Sequence, residues 1–363
     1  MRVLHVFKDY YPPTRGGIEQ HIHDVVHSMP GFDSAVLTSS RSRKLVVEDD
    51  GGVRIIRTPE LFRPASTPIT AAWAKMLRGC SADLMHFHMP NPFGEMAYLA
   101  SRSKVPMIAT HHAPIVGRRA LLPFFAPFHR RFLERASALV VGSERLLENS
   151  PLLGPVRDKT VVIPYGVDPK EWAVTPTLTE TLKERYDGPI VLFLGRLAYY
   201  KGIDLLIEAM RDIQATCLIV GDGPLRKDLE DLTERLALSG KVRFVGEIPD
   251  EDRGAYYHAA DVFVLPSTSE AETFGISMLE AMACGTPAIS TEVGTGTSWL
   301  NQDDQTGLVV SPREPRALTD AIKTILGDKT RRHEMGHAAQ ARVQHQFTKA
   351  QMLESLASLY RSI

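Results

Sequence analysis

Two carboxylates set the chemistry this chain can do. In Glu272-Thr273-Phe274-Gly275-Ile276-Ser277-Met278-Leu279-Glu280 the acids stand eight positions apart, and the stretch runs on into Ala281-Met282-Ala283-Cys284-Gly285. Glu272 ends a polar loop, Ser267-Thr268-Ser269-Glu270-Ala271, after the apolar run Val262-Phe263-Val264-Leu265. That order reads as strand, loop, helix, with one acid at the rim and Glu280 about two turns into the helix. Carboxylates accept hydrogen bonds from vicinal hydroxyls, and the backbone N–H groups of a helix start (Thr273, Phe274, Gly275, Ile276) can hold a polyol or a phosphate oxygen. Together they suit a sugar joined to a phosphate. The plain alternative is a helix whose glutamates are only solvated, since acids near a helix start are favoured by its dipole.

Further groups fit the same chemistry. Tyr10-Tyr11-Pro12-Pro13-Thr14-Arg15-Gly16-Gly17 follows the first strand and ends on two glycines at a helix start, where residues without Cβ let amides approach an anion; the ordinary reading is a tight turn. Arg196 and Lys201 follow the strand Ile190–Leu194, at the strand end where open α/β sheets bind ligands, and could neutralise a departing diphosphate; otherwise they are solvated loop cations. His111-His112 follows the strand Met107–Thr110, and adjacent histidines point to opposite sides. His86 and His88 end another strand and read as walls of the site. Val220-Gly221-Asp222-Gly223-Pro224 has Arg226 where a dinucleotide fingerprint needs its third glycine, so it reads as a strand-end turn near a nucleotide and an NAD oxidoreductase is disfavoured.

The E-x7-E element resembles the signature of retaining glycosyltransferase family 4, and the likeness extends over essentially the whole chain. The resemblance implies the GT-B architecture, two Rossmann-like parallel-sheet domains facing across a cleft. It implies that Glu272 and the amides after it hold the donor sugar and that Glu280 binds the ribose. It puts Gly16-Gly17 beside the diphosphate together with Arg196 and Lys201, and lays Gly223 and the Gly246-Glu247-Ile248 segment near the nucleotide. The family's Thr-x-His pattern aligns on Thr110 and selects His112 as the group that reaches the reacting sugar. Many mannosyl-transferring relatives have His-Ser-Asp where this chain has His112-Ala113-Pro114, which puts any role of that Asp in doubt. No Asp-x-Asp motif is identified, so neither metal nor other cofactor is expected. The implied mechanism is front-face attack, the leaving phosphate itself taking the acceptor proton.

No residue writes the base or the sugar. The Pro-Asn-Pro-Phe and Leu-Pro-Phe contexts after His88 and around Leu122 are similar to mannosyltransferases of surface polysaccharide assembly, which makes GDP-mannose the expected donor and a lipid-linked or soluble glycan the acceptor. The alternatives are a UDP-sugar-dependent transferase, a same-fold epimerase or phosphorylase, and a catalytically silent sugar-nucleotide-binding protein.

The elements that must position these groups are legible as an alternation. Strands are expected at Val3–Phe7, Ala35–Thr38, Val53–Arg57, Asp83–Phe87, Met107–Thr110, Ala138–Val141 and Val161–Ile163, with helices at Ile18–Met29 and near Ala71–Leu77. A second series covers Ile190–Leu194, a helix over Ile203–Ile213, Thr216–Val220, Val242–Val245, Val262–Leu265, Ala288–Ser290 and Leu308–Val310. Alternation of this kind predicts parallel sheets covered on both faces. At 363 residues two domains are the default, placed at 1–168 and 169–347, with a C-terminal helix over 348–363 that packs back on the first.

With 42 basic and 43 acidic residues, no global field argues for nucleic acid. The three cysteines show no metal spacing and fit a reducing cytoplasm, and no leader or membrane span is expected. Attachment to the inner face of the plasma membrane stays open through the Arg118–Arg135 segment, whose candidate contacts are Arg118, Arg119, Phe124, Phe125, Arg130 and Arg131. The expectation favoured there is plainer: Phe124, Phe128 and Phe132 pack on the sheet, the arginines face water, and Pro123 and Pro127 break the helix.

Overall fold

The computed structural model describes residues 1–14, 16–64, 67–114, 122–172, 176–186 and 188–363. They form two compact units: Met1–Pro164 with Met352–Ile363, and Tyr165–Gln351.

The first unit is built on β1 (Arg2–Val6), β2 (Asp33–Ser40), β3 (Val46–Asp50), β4 (Val53–Pro59), β5 (Leu84–Met89), β6 (Met107–His111), β7 (Ala138–Val141) and β8 (Thr160–Val162), ordered β3-β4-β2-β1-β5-β6-β7-β8. All pairings are parallel except β3 on β4. That antiparallel edge strand departs from the expected pattern. The alternation rule misses it because β3 is the most exposed strand of the sheet and carries no buried run to read. Its helices are α1 (Gly17–Ser28), α2 (Trp73–Arg78), α3 (Pro92–Ser101), α4 (Leu122–Arg135) and α5 (Glu144–Asn149). Asn91 starts α3, its Oδ1 accepting from the Gly94 N–H at 3.2 Å, with Pro92 in the first turn where a missing N–H costs nothing.

The second unit has an all-parallel sheet of β9 (Ile190–Leu194), β10 (Thr216–Val220), β11 (Val242–Gly246), β12 (Val262–Leu265), β13 (Ala288–Thr291) and β14 (Gly307–Val310), ordered β11-β10-β9-β12-β13-β14. Covering it are α6 (Pro176–Arg185), α7 (Ile203–Ala209), α8 (Arg226–Arg235), α9 (Arg253–Ala259), α10 (Ile276–Ala283), α11 (Gly296–Leu300), α12 (Pro315–Gly327) and α13 (Lys329–Gln346). The central strands β9 and β12 are buried at every residue, as strands covered on both faces must be. Such runs leave the C-terminal strand ends as the places where polar loops emerge.

The last helix, α14 (Lys349–Ser362), passes from the second unit to the first at Met352. Met352, Leu356 and Tyr360, spaced by four, bury one stripe against Val3, Val25, Leu84 and Ile108. Each side chain so removed from water contributes about 1.5–3 kcal/mol. Tyr360 also brings a hydroxyl within 2.6 Å of His86 Nδ1.

Candidate active site

In the second unit the loops after β9 and β10 are packed backbone on backbone. Gly221, at φ +118°, lies where a Cβ would sit 2.2 Å from the Gly195 carbonyl, and a Cβ at Gly223 would sit 2.5 Å from that of Leu197. The Gly-Asp-Gly turn is therefore a close-packing device that props the loop carrying Arg196. The Arg196 side chain is exposed.

Lys201 ends the 3₁₀ turn Tyr199–Lys201. Gly202 follows at φ +64°, where a Cβ would meet the Pro266 carbonyl at 2.1 Å, so only glycine lets this turn lie on the end of β12. The Thr268 N–H donates to the Tyr200 carbonyl at 2.8 Å and fastens the two loops together. The result is a buried ion pair, Lys201 Nζ to Glu272 Oε2 at 2.5 Å. Burial works against the ammonium, but the Glu272 carboxylate outweighs it and the Lys201 pKa is raised. Ser267 Oγ donates to the same carboxylate oxygen at 3.3 Å, and Thr295 Oγ1 donates to the Glu272 carbonyl at 2.5 Å. Both side-chain contacts fall on Oε2, which leaves Oε1 as the acceptor for a ligand hydroxyl.

Thr273, Phe274 and Gly275 form a loop, and α10 begins only at Ile276 after Gly275 at φ +86°. Glu280 is thus its fifth residue, a little over one turn in and not two, because three residues expected in the helix precede it. The Phe274 ring anchors the loop among Tyr165, Trp299 and Phe347. The first amides to donate back are those of Met278 and Leu279, both to Gly275 O, so the amides of Gly275, Ile276 and Ser277 stand ahead of the helical ladder as donors.

Glu280 is buried and held by two residues of α9 that local sequence reasoning does not single out. Tyr257 Oη donates to Oε2 at 2.5 Å, and Arg253 Nη1 reaches Oε1 at 3.4 Å. Burial pushes the Glu280 pKa up, against the pull of Arg253 and Tyr257. Only their spacing of four, one face of a helix turned to one carboxylate, could have pointed to the pair. Asp250-Glu251-Asp252, just before α9, does spell Asp-x-Asp, which corrects the reading that the chain lacks one. Its three residues form a 3₁₀ turn with no buried member, and Asp250 pairs with Arg253 at 3.2 Å. Ile248 is half-buried beyond β11, and Asp168 caps its own turn by accepting from the Lys170 N–H at 3.0 Å.

The first unit gathers imidazoles. His112 is buried, its N–H donating to the Met89 carbonyl at 3.0 Å. Its Nε2 lies 2.9 Å from His88 Nδ1, and His88 Nε2 lies 3.1 Å from His5 Nδ1. His86 instead bridges two hydroxyls, Tyr360 through Nδ1 and Thr110 through Nε2 at 2.7 Å. Burial first, then neighbouring imidazoles, holds the pKa of His86, His88 and His112 well below the ordinary value, and lowers that of His5 to about 3. All four are neutral near pH 7. His5 Nε2 is buried with no partner, and a bare lone pair is tolerated there better than an orphaned N–H. The string therefore runs from His5 Nδ1–H to His88 Nε2 and from His88 Nδ1–H to His112 Nε2, leaving the His112 proton on Nδ1. His111, the last residue of β6, is buried with neither ring nitrogen bonded, whereas His112 Nε2 meets His88. Gly16 and Gly17 are exposed at the start of α1, where Gly16 O accepts from the Gln20 N–H at 2.9 Å.

The arginine-rich segment departs from expectation twice. α4 runs unbroken through Pro127, because a proline this near the helix start forfeits one backbone bond to a carbonyl still within the first turn. Phe132 is buried, but Phe124 is 77% and Phe128 46% exposed, so the aromatic stripe does not pack on the sheet over its first two turns. Arg130 and Arg131 are exposed and Phe125 is half-buried; Arg118 and Arg119 lie outside the described residues. Among the described residues no helix is long and apolar enough to cross a membrane.

Two family models match. "Glycosyltransferase Family 4" covers residues 15–171 and "Glycosyl transferases group 1" covers residues 175–342. The chain is 32% identical, over its whole length and 99% of the other protein, to O-antigen chain mannosyltransferase C of Escherichia coli. It is 35% identical to the D-rhamnosyltransferase WbpZ of Pseudomonas aeruginosa, over 96% of this chain and 92% of that protein. Among solved structures it matches sucrose-phosphate synthase from Thermosynechococcus elongatus with a TM-score of 0.83 at 25% identity, over 99% of this chain and 98% of that one.

Proposed function

The chain belongs to the group 1 and family 4 glycosyltransferases, and on that premise we propose that it moves a hexose, mannose first, from a nucleoside diphosphate sugar to an acceptor hydroxyl with retention at the anomeric carbon. The observation that carries this reading is the buried Lys201–Glu272 pair at the approach to α10. It sets a cation and a sugar-binding carboxylate side by side where neither is screened by water.

In this reading Glu280, preset by Tyr257 and Arg253, takes the ribose hydroxyls. Glu272 Oε1 and the amides at the start of α10 take the donor sugar. Arg196 and Lys201 meet the charge that grows on the leaving diphosphate, so no metal is assigned to the transfer itself. We assign Gly16-Gly17 to the diphosphate and His112, with its proton on Nδ1, to the sugar. The leaving phosphate accepts the proton of the attacking hydroxyl while the new glycosidic bond forms on the face that the phosphate leaves.

Two relatives named for mannose and D-rhamnose transfer support a donor of that series, and GDP-mannose is our first choice. The exposed Phe124 and Phe128 beside Arg130 and Arg131 support a lipid-linked acceptor presented at an anionic membrane surface. Liposome sedimentation tests that part: equal retention on neutral and anionic vesicles would discard it.

A thermal-shift panel of GDP, UDP, ADP and their sugars tests the donor, since saturation raises the melting temperature with the logarithm of ligand over Kd. We expect GDP and GDP-mannose to give the largest rise. NMR of the product from an α-linked donor should show the α anomer; a β product would end the retaining mechanism. Donor binding without transfer or slow hydrolysis would instead mark a sugar-nucleotide-binding protein without turnover.

A further inference from the structure

The first unit holds a second cluster of chemistry-bearing side chains, apart from the imidazole string. His23 and His27 stand one turn apart on the same face of α1, with ring centroids 4.1 Å apart. Asp50 is the last residue of β3, at the hairpin into β4. The ligand atoms of the three all lie within 4.8 Å of one another.

His27 decides what the cluster wants. Its Nδ1 lies 2.9 Å from the His23 carbonyl, and its Nε2 lies 3.0 Å from the Asp50 carbonyl and 3.3 Å from Asp50 Oδ2. All three partners are oxygens that only accept. A neutral imidazole has one N–H, so one face of this ring would set a lone pair against oxygen. A cation at Nε2 would turn that lone pair to use. His23 Nε2 points to the same carboxylate oxygen at 3.8 Å, so both imidazoles converge on it. The outer nitrogen of His27, Nδ1, is turned to the His23 carbonyl, the arrangement which fixes the tautomer of a metal-binding histidine. His23 Nδ1 is buried without a hydrogen-bond partner.

We propose that His23, His27 and Asp50 bind one divalent transition-metal ion. Ligands about 2.0–2.1 Å from a tetrahedral ion stand about 3.3 Å from each other, a spacing that His27 Nε2 and Asp50 Oδ2 already have. Side-chain exposures of 25%, 21% and 42% leave the remaining position to water. Two imidazoles and one carboxylate select zinc, cobalt, nickel or copper over magnesium and calcium. Two ligands come from α1 and one from the β3–β4 hairpin, so the ion acts as a clamp. It ties the helix that begins at Gly17 to the edge of the sheet. This inference stands on unit 1 geometry alone and is independent of the transfer reaction.

The test uses full-length, tag-free protein stripped with a chelator, titrated with Zn²⁺ and Co²⁺ in competition with a chromogenic chelator. One equivalent should bind to the wild type, with no competition from millimolar Mg²⁺. The double variant His23→Gln/His27→Gln should bind at least ~100-fold more weakly and Asp50→Asn about 10-fold more weakly. Zn²⁺ should raise the melting temperature of the wild type and not of the double variant, whose own circular dichroism melt shows that it folds. Unchanged affinity in the folded double variant would overturn the proposal. Absence of any tight equivalent in the wild type would do so too.

Discussion

Among the described residues the second unit buries charge where opposite charge or a donor meets it: Lys201 against Glu272, and Glu280 against Tyr257 and Arg253. The first unit buries His5, His86, His88 and His112 beside one another, with the Tyr360 and Thr110 hydroxyls as their other partners. One strategy keeps ions ionised in a dry place, and the other keeps titratable rings neutral. The first suits stabilising a charged leaving group. The second suits a directional donor that must carry no charge. The difference gives each cluster its own weakness, since charges fail when a partner is removed and neutral imidazoles fail when protons are added.

The largest effect should come from removing a partner in the second unit. Lys201→Ala and Glu272→Ala should each lower turnover by at least ~100-fold, as loss of one transition-state electrostatic partner does. Each should also cost about 3–5 kcal/mol of stability, because the remaining charge is left buried and unpaired. In chemical denaturation the double change Lys201→Ala/Glu272→Ala should cost less than the sum of the singles. Additive losses would mean that the two groups do not act as a pair.

Adding protons should break the first unit. His5 titrates near 3 and His111 near 4, and His86, His88 and His112 also lie well below the ordinary 6.5. Between those values and 6.5 the unfolded chain binds more protons than the folded one, so stability falls as pH drops through that window. Each group adds a slope of up to about 1.4 kcal/mol per pH unit. Hydrogen exchange at pH 5 should therefore show β1, β5 and β6 losing protection before β9 and β12. Equal loss in both units would contradict the contrast.

A finer probe is the string itself. His88→Asn removes the ring that orients His112 and should lower turnover about 10-fold. His86→Asn, at a ring whose nitrogens bond hydroxyls and not the string, should change it far less. Equal effects would reduce the string to packing. The smallest expected effect is a gain: because the folded-state pKa of Glu280 is raised, its charge costs stability above the ordinary carboxylate range. Glu280→Gln should then raise the melting temperature at pH 7 by roughly 2–4 °C while donor affinity falls.

Much of this is legible in the sequence. Apolar runs found β7, β9, β10 and β12 to the residue, because strands buried on both faces announce themselves. The edge strand β3 was silent for the opposite reason. Spacing singles out Glu272 and Glu280, and the place after β9 singles out Arg196 and Lys201, but the pairing of Lys201 with Glu272 is not written locally. Lys201 and Glu272 are 71 positions apart, and only the Gly202 turn on the end of β12 brings them together. Tyr257, Arg253 and His5 were missed since nothing in their own neighbourhoods marks them; each matters through an element distant in sequence. The exposure of Phe124 and Phe128 could not be read either, because a period of four says which residues share a face and not what covers it.

The central claim is that Glu280 and its neighbours on α9 and α10 hold the nucleotide of an activated sugar. Isothermal titration of GDP, UDP and ADP into the wild type and into Glu280→Gln tests it most directly. The account predicts binding of GDP at least ~10-fold tighter than of the other two, and a loss of about 10- to 100-fold in the variant, the worth of one hydrogen bond to a charged group. Nucleotide binding that is indifferent to Glu280, or no nucleotide binding at all, would contradict it.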